Sequence, residues 1–183
     1  MTFFLRARHW QIFLLMLFAP FFVELVCFLI TEFTSGSPFG IFTATLLKNI
    51  TFLFFYFGWI YSAGIYLNSI LPSKLKLNTA YFKLCLSLLA ITMTIMYVYS
   101  EMYLEKTASG SFSNSDWPLF LLAPVYLFCA VYSYYFVVKA LKTVEQQRPS
   151  TFGECFGDFF LIIFFPIGIW FIQPRINKLF LSN

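Results

Sequence analysis

The chain has little charge and almost no histidine. Only 11% of its 183 residues are charged, and His9 is the single histidine. A soluble domain carries about 25% charged residues, because water must solvate its surface. A water-soluble globular fold is therefore excluded. One histidine without a CxxC pair excludes a Cys/His zinc site and a bis-His haem within the chain. The cysteines Cys27, Cys85, Cys129 and Cys155 are scattered, three of them in apolar runs. There a thiol behaves as a small hydrophobe, so neither a disulfide framework nor a thiol redox centre is expected. HExxH, GxSxG and P-loop motifs are all missing. The metalloprotease, α/β-hydrolase and P-loop chemistries thus lack their residues. No enzymatic activity, cofactor or metal is expected.

What is there is apolar. Hydrophobic residues make up 60% of the chain, and phenylalanine alone occurs 27 times. A fold of this size cannot hide that much ring surface from water, whereas lipid need not be hidden from. The class predicted is an all-α integral membrane protein, a single membrane domain over residues 1–183. A crossing helix needs about 20 mostly apolar residues. Four runs qualify: 10–30, 50–71, 84–103 and 118–138. Arg6 and Arg8 precede the first run as in a signal peptide. That run continues through Pro20 and Glu24 without a small-x-small cleavage site, so it reads as a retained span.

A fifth apolar helix, about 152–173, starts at a Thr151–Glu154 capping box. Unbroken, its helix over Phe152–Gln173 would be about 33 Å long, enough to cross. Pro166 removes a backbone donor and kinks it. Basic residues flank it on both sides, Lys139, Lys142 and Arg148 before, Arg175 and Lys178 after. The reading preferred is a Pro-broken re-entrant or interfacial helix; the alternative is five transmembrane helices.

Lysine and arginine set the orientation. Arg6 and Arg8 precede the first run, and Lys74, Lys76 and Lys83 lie between the second and third. The opposite loops hold only Lys48 and Lys106. The N-terminus is therefore expected in the cytoplasm. Trp10, Trp59 and Trp117 with Tyr97, Tyr99 and Tyr103 read as parts of interfacial belts, although Trp59 falls mid-run. Thr34–Pro38 reads as a turn-rich break and Asp116 as the N-cap of the fourth helix. The net charge of +4 is spread over loops, with no basic stripe to track a phosphate backbone, so a nucleic-acid partner is not expected. Without an internal repeat, an inverted-repeat transporter is not indicated.

Glu24 is the residue whose position costs most. It lies about 21 Å along the first helix from Trp10, within the outer half of the hydrocarbon. An intramembrane carboxylate either serves a site or bonds a Tyr or Ser of a neighbouring helix. Gly58 and Ser62, four apart on one helix face, suit close helix packing, within the chain or in a dimer. His9, Gln173, Arg175 and Lys178 stand where lipid head groups are expected, Arg175 as a bidentate phosphate donor. Glu154 and Asp158 share a helix face, either as helix N-terminal charges or, with Arg175, as a cation or head-group site.

Two stretches carry a resemblance. One is Arg6-Ala-Arg-His-Trp-Gln-Ile-Phe13, leading to Pro20. The other is Phe165-Pro-Ile-Gly-Ile-Trp-Phe-Ile-Gln-Pro-Arg-Ile-Asn177. Together they resemble uncharacterised small polytopic membrane proteins of Bacteroidota-type bacteria. The resemblance implies a bacterial inner-membrane setting and nothing catalytic. The function expected is that of a structural, accessory or regulatory membrane protein acting on the lipid bilayer, a second copy or another membrane protein. The alternative is a small proton-linked transporter or channel-like protein using Glu24.

Overall fold

In an apolar solvent every backbone N–H and C=O must be satisfied by the protein itself, and a helix does this within one segment. The structure, a computed structural model, describes residues 2–33, 38–108 and 117–181, with side chains described at 2–30, 43, 46–100 and 121–181. All regular structure among the described residues is helical. The elements are α1 (Thr2–Arg6), α2 (His9–Phe33), α3 (Pro38–Ile70), α4 (Thr79–Ala108), α5 (Trp117–Gln146), α6 (Phe152–Ile163) and α7 (Phe165–Leu181), with a 3₁₀ turn at Ser73–Leu75. Four helices are long and apolar enough to cross a membrane, over His9–Ile30, Leu46–Ile70, Thr79–Ser100 and Leu121–Gln146.

The helices outrun the apolar runs that announced them. α3 begins at Pro38 rather than at 50, and α5 continues past 138 to Gln146. An apolar run marks what hydrocarbon can solvate; the helix continues as long as its local hydrogen bonds do. Lys48, read from sequence as a loop residue, is thereby inside α3. The Asp116 cap and the Thr34–Ser37 part of the predicted break lie outside the described residues, as do the side chains of Trp117 and Tyr103.

Local chemistry explains the helix ends. The Arg8 N–H donates to Gln11 Oε1 at 2.8 Å, closing the start of α2. The Ala80 N–H donates to Asn78 Oδ1 at 2.9 Å at the start of α4. The predicted capping box opens α6, where the Thr151 N–H donates to Glu154 Oε2 at 2.8 Å. α5 ends on Gln147, whose φ of 53° is the left-handed cap conformation. Asn68 pins the loop beyond α3 by accepting from the Leu77 N–H at 2.7 Å and donating to its carbonyl at 3.1 Å.

The C-terminal segment does not form the continuous helix that a fifth span needs. It breaks at Phe164 (φ −84°, ψ 54°). Pro166 falls in the first turn of α7, where a missing N–H is tolerated. The chain then doubles back. Asp158 of α6 meets Arg175 of α7 at 2.8 Å, and Gly168 lies directly against the Leu161 carbonyl. α7 also runs on through Pro174 to Leu181, beyond the predicted end at 173.

α7 is a core element. Ile169, Ile172, Gln173 and Ile176 have no exposed surface. It lies alongside α3 in the same direction: Phe165 packs on Tyr56 with ring centroids 5.4 Å apart, Gln173 bonds Trp59, and Tyr66 Oη donates to the Leu179 carbonyl at 3.0 Å. From Tyr66 to Tyr56 the helix rises about 15 Å. The turn of the hairpin therefore reaches about halfway along the apolar part of α3. The short α1 tucks Phe4 and Leu5 into the same core. The outside is apolar: Phe18, Phe22, Phe54, Phe128 and Phe171 are all exposed.

Candidate functional site

Three polar clusters among the described residues bear on the site. The first is built around Gln173. Its side chain has no exposed surface, so each of its bonding positions must find a protein partner. Trp59 Nε1 donates to Gln173 Oε1 at 2.7 Å. Gln173 Nε2 lies 2.9 Å from the Phe4 carbonyl, 3.0 Å from the Ala7 carbonyl and 2.7 Å from Asn177 Oδ1. Asn177 Nδ2 also donates to the Ala7 carbonyl, at 3.1 Å. One amide thus satisfies carbonyls at the end of α1 and ties α1, α3 and α7 together. Trp59 is not a belt residue: it is 2% exposed, and its indole N–H is spent here. Gln173, read from sequence as meeting head groups, is interior.

The second cluster holds the hairpin to α5. Arg175 forks onto Glu145, Nε to Oε1 at 2.7 Å and a terminal nitrogen to Oε2 at 2.6 Å. The same guanidinium lies 2.8 Å from Asp158 Oδ2, and Lys142 Nζ approaches that oxygen at 3.2 Å. Arg148 bonds Glu154 nearby. Burial pushes the Asp158 carboxyl up, but Arg175 and Lys142 outweigh it and hold the group below the usual carboxylate range. Glu154 is also held low, first by the Thr151 N–H and then by Arg148. The bonds from Glu145 and Asp158 raise Arg175 further above its ordinary value against its burial.

A carboxyl depressed in the folded state stabilises the fold above its unfolded pKa, about 3.9 for aspartate. That contribution is lost as pH falls through the folded value. Tryptophan-monitored melting in detergent is therefore expected to be flat from neutral pH to about 5 and to drop only below about 4. Asp158→Asn should start lower at neutral pH and lose much of the acid step. An acid step of undiminished size in that variant would place the effect elsewhere.

The third cluster is the pair Glu24–Lys48, with Oε1 and Nζ 2.6 Å apart. Glu24 was expected either to serve a site or to bond a Tyr or Ser; its partner is the lysine of the adjoining α3. Both side chains are about one-third exposed, at 34% and 28%. Breaking an apolar-region pair from one side strands a charge, whereas replacing both ends strands none. Glu24→Gln and Lys48→Met are each expected to cost about 1–2 kcal/mol, and the double variant less than the sum. Melting of the three variants in one detergent measures this; strict additivity would mean the two groups do not interact.

The remaining sequence-derived candidates fall as follows. A Cβ on Gly58 would meet the Phe4 ring at 3.0 Å, so Gly58 makes room for α1. Ser62 is buried at 3% exposure, with no hydrogen bond to its hydroxyl. The His9 ring lies 4.5 Å from that of Trp170 at a tilt of 53°. Lys178 is exposed at the end of α7. Asp158 and Glu154 are taken up by cations of the chain itself, and Arg175 by two carboxylates. No group of three or more His, Cys, Asp or Glu with metal-binding placement occurs among the described residues. Comparison of the chain with family models, curated proteins and solved structures returns no match.

Proposed function

We propose that the chain is a non-enzymatic integral protein of a bacterial cytoplasmic (inner) membrane that acts through helix and lipid contacts as a structural, accessory or regulatory component. In this reading α2 to α5 cross, the N-terminus is cytoplasmic, and the α6–α7 hairpin enters from the cytoplasmic side as far as the midplane. The observation that carries it is the use of charge. All four carboxylates with described side chains, Glu24, Glu145, Glu154 and Asp158, are ion-paired to cations of the same chain. These four acidic groups are engaged by cations of the chain itself rather than left free for chemistry. The cations left over, among them Arg6, Arg8, Lys74, Lys76, Lys83 and Lys178, suit anionic head groups at one rim, at about 1 kcal/mol each.

The test combines topology with partnership. The chain should resist alkaline carbonate extraction, and Asn183→Cys should be labelled by an impermeant thiol reagent only after the cytoplasmic face is opened. Labelling of that position in intact cells would overturn the re-entrant arrangement. Affinity purification from native membranes should recover a stoichiometric membrane-protein or self-partner. Substrate turnover by the purified chain alone would overturn the non-enzymatic reading.

The Glu24–Lys48 pair within the apolar segments supports a second reading, a small proton-linked transporter. There Glu24→Gln should abolish proton-linked flux in proteoliposomes; unchanged flux would remove it.

A further inference from the structure

A cavity of about 290 Å³ lies between α2 and α3, next to the Glu24–Lys48 pair. Met16, Pro20 and Phe21 form one wall; Lys48, Asn49 and Phe52 form the other. Its two ends differ in chemistry. From the level of the ion pair to Met16, eight residues along α2, the cavity descends about 12 Å, and its lower part is wholly apolar. Its upper end holds hydrogen-bond donors in excess. An ammonium has three N–H donors, and the described contact of Lys48 is with Glu24 alone. Asn49 Nδ2 is buried and has no acceptor. A buried amide donor without an acceptor is costly, so a ligand oxygen there would be favoured. The charges of Lys48 and Glu24 cancel, which disfavours a multiply charged head.

We propose that this cavity binds one fatty-acyl chain, with its carboxyl or ester oxygens at Asn49 and Lys48 and its methylenes against Met16, Pro20, Phe21 and Phe52. The chain enters from the bilayer leaflet nearer the Glu24–Lys48 pair. Pro20 has no N–H for the Met16 carbonyl, which leaves that carbonyl without its usual helical partner beside the cavity. Aliphatic and aromatic walls recognise the methylene chain; the donor-rich end recognises its oxygens. A free fatty acid and an intact phospholipid ester share this chemistry. The inference rests on residence of the chain in a membrane, as proposed above.

The test is native mass spectrometry of the full chain, purified in detergent and titrated separately with oleate and with dioleoylphosphatidylcholine. One equivalent should be retained. Two variants report on the two ends. Leu17→Trp fills the cavity from an exposed position on its wall, and Asn49→Leu removes the amide. Each should lower occupancy roughly tenfold, with Leu17→Trp melting as the parent does. Retention of oleate alone assigns the site to free fatty acids, and retention of the phospholipid alone assigns it to a bilayer lipid; retention of either supports the site. No retained adduct, or adducts that neither variant weakens, would overturn it. Failure of the membrane reading shows separately, as release of the unaltered chain by carbonate.

Discussion

Gly168→Ala will open the C-terminal hairpin. A Cβ at this position would lie 1.6 Å from the Leu161 carbonyl oxygen and 2.4 Å from its carbon. Both are backbone atoms of α6, so no rotamer change relieves the overlap. Gly64 offers a contrast: a Cβ there would meet the Phe82 ring at 2.7 Å, and a side chain has some freedom to shift. At Gly168 the whole of α7 must move away from α6. That movement pulls Arg175 from Asp158 and Gln173 from its carbonyls. Overpacking typically costs about 1–3 kcal/mol, and the loss of the ion pairs adds to it, so a total of at least about 3 kcal/mol is expected. Melting followed by tryptophan emission measures it, since Trp59 and Trp170 both touch the hairpin or its partners. A change within about 0.5 kcal/mol would show that the close approach is not a constraint.

Gln173→Leu will destabilise the bundle nearly as much, by a different route. Leucine fills a similar space but offers no polar atoms. The Trp59 indole N–H and the Phe4 carbonyl are left buried without partners, while Asn177 still reaches the Ala7 carbonyl. At about 1–3 kcal/mol for each of the two orphaned groups, the cost is about 2–6 kcal/mol. Gln173→Glu is a sharper probe. It keeps the acceptor for Trp59 but loses the donors to Phe4 and Ala7, and as a carboxylate it faces those carbonyls with like partial charge. It is expected to be worse than leucine. Trp59→Phe, which removes one donor and leaves one acceptor free, should be milder than either. If Gln173→Leu melts as the parent does, the interior amide is not what joins α1 to α3 and α7.

The four long helices were legible because a continuous apolar run is a local property. The capping box at Thr151 and the break just ahead of Pro166 were legible for the same reason: each is decided within a few residues. The polar clusters were not. Trp59 meets Gln173 across 114 positions, and Gln173 meets Phe4 across 169. No periodicity within one helix encodes such a partner. A Trp in an apolar run reads as a belt residue, and a Gln beside Pro and Arg reads as interfacial. Lys48 shows a related failure. Hydropathy places a lysine at the end of a span and counts it as loop charge, whereas the helix that carries it starts ten residues earlier at Pro38. The one clue was Glu24, whose cost in an apolar segment asked for a partner; a Tyr or Ser was the partner expected, and the lysine of α3 is the one found.

The bonds from Gln173 to the Phe4 and Ala7 carbonyls also order events in time. During synthesis α1 emerges first and α7 last. Until α7 is made, the end of α1 has no Gln173 to satisfy its carbonyls, and Trp59 has no acceptor. The contacts that close α1 onto α3 therefore wait until the last of these seven helices has been made.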